Sequence, residues 1–412
     1  MSRAPDRLSG PGRLGGDCAV VEQGLGLSWQ LRDDPYGHGF APLVALALRD
    51  NPRRAQLVVS TVLGKHLPVA PGVAIDAAER LAALVPGDGP FTVLGFCETA
   101  TSLGHLVATA LDAPYVHTTR RPDPAVPVLT GFQEEHSHAA QHWLQPASGI
   151  LTPGGAGAGG TLVLVDDELS TGQTARNTID SLTPLLPGTS FVVASLLDLR
   201  PPPLSGTSDP GWGVDPAIVR RPTDLQVVAL AGGSLVLPED VQERATALRR
   251  TLAACPPAPT PTARGAVTLL DRPWDAPLGG RTGTTPADLP AQRRCLADTA
   301  AALALSGGPT LVLGTEELMW APLQLAALLP GAVFQSTTRS PVLPAWTDGY
   351  AVRRAVTFPA PDAPDRLSRL HGLTDEPYAD IVVVTDTPSG AARPLAEALR
   401  PWASERVHVV GV

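Results

Sequence analysis

The chain has 412 residues, 43% of them hydrophobic, and a formal net charge of -9, so it exceeds one ordinary domain and carries enough apolar side chain for two cores. The acidic balance argues against broad nucleic-acid affinity, which comes from a cationic face neutralising phosphates; any polyanion must bind at a local cluster. No apolar run approaches the roughly 20 residues that span a bilayer, and the N-terminal MSRAPDRLSGPGRLGG lacks an apolar signal core, so no membrane segment and a cytoplasmic location are expected.

In chain order, Phe40–Arg49 reads as a helix, LVVSTVL (57–63) as a buried strand and Ala74–Leu84 as a helix. FTVLGF (91–96) follows as a strand, Leu103–Leu111 as a helix, TLVLVDD (161–167) as a strand, Thr174–Leu182 as a helix and SFVVASLL (190–197) as a strand. Short aliphatic runs bounded by Gly, Pro or charge and separated by helical crossovers predict an α/β unit on a mainly parallel sheet. SGILTPGGAGAGGT (148–161) reads as a mobile glycine-rich loop, and 201–224 as a Pro- and Gly-rich connection ahead of a strand, DLQVVAL, and a helix, Asp240–Ala254. CPPAPTPTARG (255–265) is a stiff linker, which divides the chain into 1–255, a Pro-rich link at 256–264, and 265–412. Cys18, Cys97, Cys255 and Cys295 show no CxxC spacing and are expected to be reduced thiols, not a disulfide frame or a zinc site.

The second part repeats the first at a constant offset of 219 residues. VLGFCETATSLGHLVATALDAPYVHTTRRP (93–122) falls on VLGTEELMWAPLQLAALLPGAVFQSTTRSP (312–341), aligning Val-Leu-Gly, Glu98 with Glu317, and Thr-Thr-Arg-x-Pro without a gap. The same offset lays VLVDDELS (163–170) on VVVTDTPS (382–389). A duplicated α/β fold is therefore expected, with 265–412 the degenerate copy.

VLVDDELSTGQTA (163–175) carries the chemistry. A buried strand that ends in carboxylates and turns through small residues into a helix makes a cradle for a phosphorylated pentose. Backbone amides of Leu169, Ser170, Thr171, Gly172 and Gln173, with the helix start near Thr174, aim partial positive charge at one point; the hydroxyls of Ser170, Thr171 and Thr174 add donors, and Gly172 permits the tight turn. Asp166 and Asp167 stand about one ribose length away, where carboxylates accept hydrogen bonds from vicinal hydroxyls. Of 31 lysines and arginines only Lys65 is a lysine, which marks it as a chemical candidate.

This segment resembles the phosphoribosyl diphosphate (PRPP) signature of type I phosphoribosyltransferases, with Glu168 where that family often has an apolar residue. The resemblance implies a diphosphate site on the far side of the ribose. Amides near Cys97, Glu98, Thr99 and Ala100 in LGFCETATSLGH (94–105) fit the pyrophosphate loop, Arg120 and Arg121 in HTTRRP (117–122) fit a guanidinium clamp, and Lys65 in VLGKHLP is a further cation. GFQEEHSHAAQHWL (131–144) reads as a hood in which Glu134 and Glu135 protonate or orient a base; His136, His138 and His142 lack a fourth ligand at metal spacing. YGHGF, the motifs above and the C-terminal STTRSP together resemble a bacterial family of phosphoribosyltransferase-like proteins joined to a domain named for its Thr-Arg-Ser-Pro signature, here Thr338–Pro341. That resemblance implies gene clusters linked to tellurite resistance and stress.

The implied activity is transfer of phosphoribose between PRPP and a nitrogen base, with Mg2+ held directly or indirectly by Asp166 and Asp167. The expected partners are PRPP, pyrophosphate and an unidentified base, with no nucleic acid and no membrane, and with homodimer assembly left open. A PRPP-sensing module without turnover and a nucleotide or nucleoside hydrolase are the alternatives. In the second half, Thr385, Gly390 and Ala391 break the phosphate motif while Glu317, Thr337, Thr338 and Arg339 persist, so that half is expected either to complete or regulate the first site or to hold a small ligand of its own.

Overall fold

Aliphatic runs buried on both faces can satisfy their backbone groups only inside a sheet, and these runs form two parallel sheets. A computed structural model describes residues 19–49, 55–133, 141–147, 149–151, 159–201 and 225–412. The first part comprises α1 (Ala19–Leu25), β1 (Ser28–Asp33), β2 (Val44–Leu48), β3 (Gln56–Ser60), α2 (Pro71–Ala82), β4 (Phe91–Gly95), α3 (Ala100–Ala110), β5 (Tyr115–His117), β6 (Thr130–Gln133), β7 (Gln141–Leu144), β8 (Thr161–Leu169), α4 (Gln173–Leu182), β9 (Ser190–Asp198), β10 (Leu225–Val236) and α5 (Val241–Ala253). The second comprises β11 (Ala266–Asp271), α6 (Leu289–Ala302), β12 (Thr310–Gly314), α7 (Trp320–Leu328), β13 (Val333–Ser336), β14 (Ala355–Ala360), β15 (Ala363–His371), β16 (Tyr378–Thr385), α8 (Arg393–Leu399) and β17 (Ala403–Gly411).

The first sheet runs β1-β10-β9-β8-β4-β5, parallel except for β1, and the second runs β11-β17-β16-β12-β13, parallel throughout. β8-β4-β5 and β16-β12-β13 occupy the same places at the offset read from the sequence, which agrees with a duplicated unit. In the chain the Pro-rich segment separates α5 from β11. Among the described residues no helix is long and apolar enough to cross a membrane.

Two expectations fail in the same place. Phe40–Arg49 is not a helix: Val44–Leu48, all five residues buried, is the strand β2. LVVSTVL is not a strand of the parallel sheet: β3 ends at Ser60 and pairs antiparallel with β2 in a separate hairpin. The reason is tertiary, because the hairpin meets the second half, where Leu343 N–H donates to the Leu48 carbonyl at 3.0 Å and Leu48 N–H donates to the Tyr350 hydroxyl at 2.9 Å. Ala and Leu favour helices only weakly, and burial on both faces overrides that preference.

The halves share a core. One apolar cluster joins Val93, Tyr115 and Val163 to Val312, Trp320 and Phe334, and the His105 ring is stacked between Tyr115 and Trp320 at centroid distances of 4.6 and 4.2 Å. α3 is buried over Ala100–Ala108, wedged between its own sheet and α7.

Candidate active site

β8 carries its carboxylates within the strand. Thr161–Val165 enters the core, while Asp166, Asp167 and Glu168 are half-buried and Leu169 is buried again. Asp167 N–H donates to Asp166 Oδ1 at 2.9 Å, fixing one carboxylate against the backbone. The chain then turns through Ser170 and Thr171 to Gly172, whose φ of 74° is a left-handed conformation that glycine adopts at least cost, and α4 starts at Gln173. β8 thus runs two residues beyond the expected end, and the helix starts one residue early.

This corner opens on a cavity of about 490 Å³. Asp166, Asp167 and every residue from Leu169 to Thr174 line it, as do Lys65, Cys97, Glu98, Thr99 and Arg120. Its cations are Arg49, Lys65, Arg120, Arg339 and Arg366, the local cluster that an acidic chain needs to hold a polyanion. Lys65 Nζ donates to Thr99 Oγ1, tying the lone lysine to the loop after β4.

That loop is built differently from expectation. Cys97 N–H donates to Thr118 Oγ1 at 3.0 Å and Ala100 N–H to the Phe96 carbonyl at 3.1 Å, so neither amide is aimed at a ligand. Ala100 is buried as the first residue of α3 and is not part of the cavity wall. Burial pushes the Cys97 thiol up to about 12, helped by Glu317, which keeps it protonated and unreactive. Glu98 is 6% exposed; burial raises its pKa, against the pull of Lys65 and Arg120, and the Thr338 hydroxyl bonds it from the second half.

Arg121 is the main correction. Its guanidinium leaves the first half and pairs with Asp386 at 2.6 Å and Asp362 at 3.2 Å, with Arg281 on the same Asp386 oxygen at 2.8 Å. Two carboxylates of the second half outbid an open cavity for a charge that would otherwise be desolvated alone. Arg120 stays: its amide donates to Glu317 Oε1 at 2.8 Å, and its Nη1 lies 4.0 Å from Glu98 Oε2.

Glu134 and Glu135, with His136 and His138, lie outside the described residues, as does most of the glycine-rich loop. His142 on β7 is buried, stacked on Phe132 at 5.2 Å, with Nδ1 3.1 Å from Thr118 Oγ1. Among the described residues no group of three or more His, Cys, Asp or Glu gathers as a metal site. Asp166 and Asp167 nevertheless suit Mg2+, which takes one or two protein carboxylates and completes its shell with phosphate oxygens and water.

Sequence reasoning missed Arg49 and Arg366, and it left Arg339, Ser340 and Pro341 in the second half's own loop. All five line the cavity beside Asp166. The repeated Thr-Thr-Arg-x-Pro was the available signal, but a repeat does not say which half its side chains face.

No curated protein matches the chain. Among solved structures, adenine phosphoribosyltransferase of Trypanosoma brucei, in complex with AMP, pyrophosphate and ribose 5-phosphate, is 18% identical over 39% of this chain and 64% of that one, with a TM-score of 0.26. The chain thus spans slightly less than two thirds of the Trypanosoma protein. The Rhodothermus marinus enzyme is 20% identical over 39% and 84% with a TM-score of 0.27, and that of Giardia lamblia, complexed with 9-deazaadenine, is 19% identical over 46% and 97% with a TM-score of 0.32. Likeness at that level adds no argument to the strand order and the site. The family models are specific: one described as phosphoribosyl transferase matches residues 43–209, and one described as the TRSP domain C-terminal to it matches 278–399. Residues 43–209 therefore belong to the phosphoribosyl transferase family and residues 278–399 to the TRSP domain that follows it.

Proposed function

We propose that the cavity binds PRPP and that the protein moves a 5-phosphoribosyl group to or from a nitrogen base, with Mg2+ and pyrophosphate, in the stress- or tellurite-linked nucleotide pathway that the resemblance implies. In this reading 1–255 is the phosphoribosyltransferase unit and 265–412 the TRSP unit. The supporting observation is that strand carboxylates and a hydroxyl-rich turn at a helix start line the same cavity.

Asp166 and Asp167 accept hydrogen bonds from the vicinal ribose hydroxyls. The Leu169–Thr174 turn holds the 5'-phosphate on its hydroxyls, on amides other than that of Gln173, which donates to Thr171 Oγ1 at 3.3 Å, and on the start of α4. Anchoring a phosphate far from the reacting carbon fixes the angle of attack, an orientation effect worth up to roughly 7–11 kcal/mol of barrier. As the C1–O bond lengthens, positive charge grows on the ribose and negative charge on the leaving diphosphate. Carboxylates on one side and Lys65, Thr99 and Arg120 on the other oppose both charges. Mg2+ held by Asp166 and Asp167 would add charge neutralisation at the diphosphate. Glu134 and Glu135 remain candidates for orienting the base.

The test is calorimetry with Mg2+ and PRPP, followed by pyrophosphate release against a panel of nucleobases. Replacing Asp166 and Asp167 together by Asn should weaken PRPP binding at least tenfold and abolish release, with the circular dichroism unchanged. Unaltered affinity and turnover refute the site. Release without any base indicates hydrolysis, and binding without release indicates a sensor.

A further inference from the structure

The two halves exchange equivalent contacts. Cys97 N–H donates to Thr118 Oγ1 and Glu316 N–H to Thr337 Oγ1, each at 3.0 Å. Arg121 N–H donates to Thr119 Oγ1 and Ser340 N–H to Thr338 Oγ1, again at 3.0 Å. Across the junction Thr119 Oγ1 donates to Glu317 at 2.6 Å, and the Thr338 hydroxyl reaches Glu98. Every pair is related by the 219-residue offset, so the halves meet as two subunits meet about a twofold axis, each lending its Thr-Thr-Arg-x-Pro segment to the other's corner.

The exchange is unequal at one position. Arg121 enters the second half's corner and sits on Asp386, the counterpart of Asp167. Its own counterpart is Ser340, which lines the first half's cavity and is too short to reach across it. The second corner is filled by guanidinium groups, and the first is open.

The open corner receives Arg339 and Arg366 instead. Arg339 Nε is 2.8 Å from Glu316 Oε2, and Arg366 Nη1 is 2.5 Å from Glu316 Oε1. Glu316 is buried, at 2% exposure, whereas the two arginine side chains keep 22% and 27% of their surface. Arg366 Nη2 also lies 2.8 Å from Asp362 Oδ1, so Glu316 and Asp362 together fix the direction of the two guanidinium groups at the cavity wall. Glu317, next in the chain to Glu316, accepts the Arg120 amide at 2.8 Å, and Arg120 Nη1 lies 4.0 Å from Glu98 Oε2, which sets this cluster beside the loop after β4.

We infer that Arg339 and Arg366 of the TRSP half recognise the diphosphate end of the ligand in the first half's site, that Glu316 positions them, and that serine at 340 keeps the corner open. The inference rests on the PRPP reading and replaces Arg121 with a clamp from the second half. A guanidinium carries five N–H donors, so Arg339, which gives one to Glu316, and Arg366, which shares its Nη groups between Glu316 and Asp362, keep donors for phosphate oxygens.

The test is calorimetry on the full chain in Mg2+ with three probes: ribose 5-phosphate, pyrophosphate and PRPP. Arg339→Gln and Arg366→Gln should each weaken pyrophosphate and PRPP about tenfold or more, the effect of a lost charged hydrogen bond, and leave ribose 5-phosphate within about twofold. Ser340→Arg should abolish binding of PRPP and pyrophosphate while the far-ultraviolet spectrum and melting temperature stay those of the parent. Parental PRPP affinity in the Arg339→Gln/Arg366→Gln double variant overturns the inference, as does equal loss of ribose 5-phosphate and PRPP. If the parent protein binds none of the three probes, the PRPP reading itself fails and the clamp with it.

Discussion

Glu317 should be the most costly single carboxylate to remove. It lies in the second half at 4% exposure, accepts the Thr119 hydroxyl at 2.6 Å and the Arg120 amide at 2.8 Å from the first half, and has Arg281 Nε at 3.7 Å. Burial alone would raise its pKa, yet Arg281, His117 and Arg121 together hold it below the usual glutamate value, so it is charged. In Glu317→Gln the amide oxygen can keep the Arg120 N–H while its NH2 donates to Thr119 Oγ1, whose hydroxyl must turn, so both contacts fall from the charged class, about 1.5–3 kcal/mol each, to the neutral class, about 0.5–1.5. The expected loss is about 2–3 kcal/mol, because the partly exposed Arg281 pairing is screened and adds little. Glu317→Ala leaves a buried hydroxyl and amide without an acceptor and should lose about 3–5 kcal/mol. Urea unfolding followed by tryptophan fluorescence and circular dichroism reads both, and a cycle with Thr119→Val isolates the junction bond. Both halves should unfold in one shifted transition. If both Glu317 variants remain within about 0.5 kcal/mol of the parent, the junction does not hold the halves as argued.

His117 and His371 are neutral when folded, because burial lowers each from 6.5 to about 4. Their folded values lie below their unfolded ones, so the unfolded chain binds more protons across that window; stability is level above pH 6.5 and falls by roughly 3 kcal/mol per histidine as the pH drops to 4, with Glu317 adding loss at the acid end. Unfolding free energy that is flat from pH 7 to 4 refutes this. Cys97, at about 12, should resist iodoacetamide at pH 8 in the folded chain, while the less buried Cys255 reacts; peptide mapping reads the difference. Gly64→Ala should lose about 2–4 kcal/mol in the same urea assay, since φ is 74° and a Cβ would lie 2.6 Å from the Phe334 ring.

The α/β class, β4, β8 and β9, the helices between them, the duplication and the Asp166–Thr174 turn were legible in the sequence. Local rules write these features: an aliphatic run buried on both faces must lie in a sheet, and small residues beside a positive-φ glycine make a turn into a helix. The offset also announced the second half, because equivalent strands need equivalent burial.

What the sequence could not say was which way side chains face between halves. β2 and β3 left the sheet because Leu343 and Tyr350 met β2, and Arg121 and Ser340 occupy equivalent positions yet close one corner and leave the other open. Such outcomes depend on carboxylates and carbonyls hundreds of residues away that become neighbours only on folding. Propensity and periodicity are sums over adjacent residues, whereas desolvating a guanidinium is decided by whichever partner the packed core delivers.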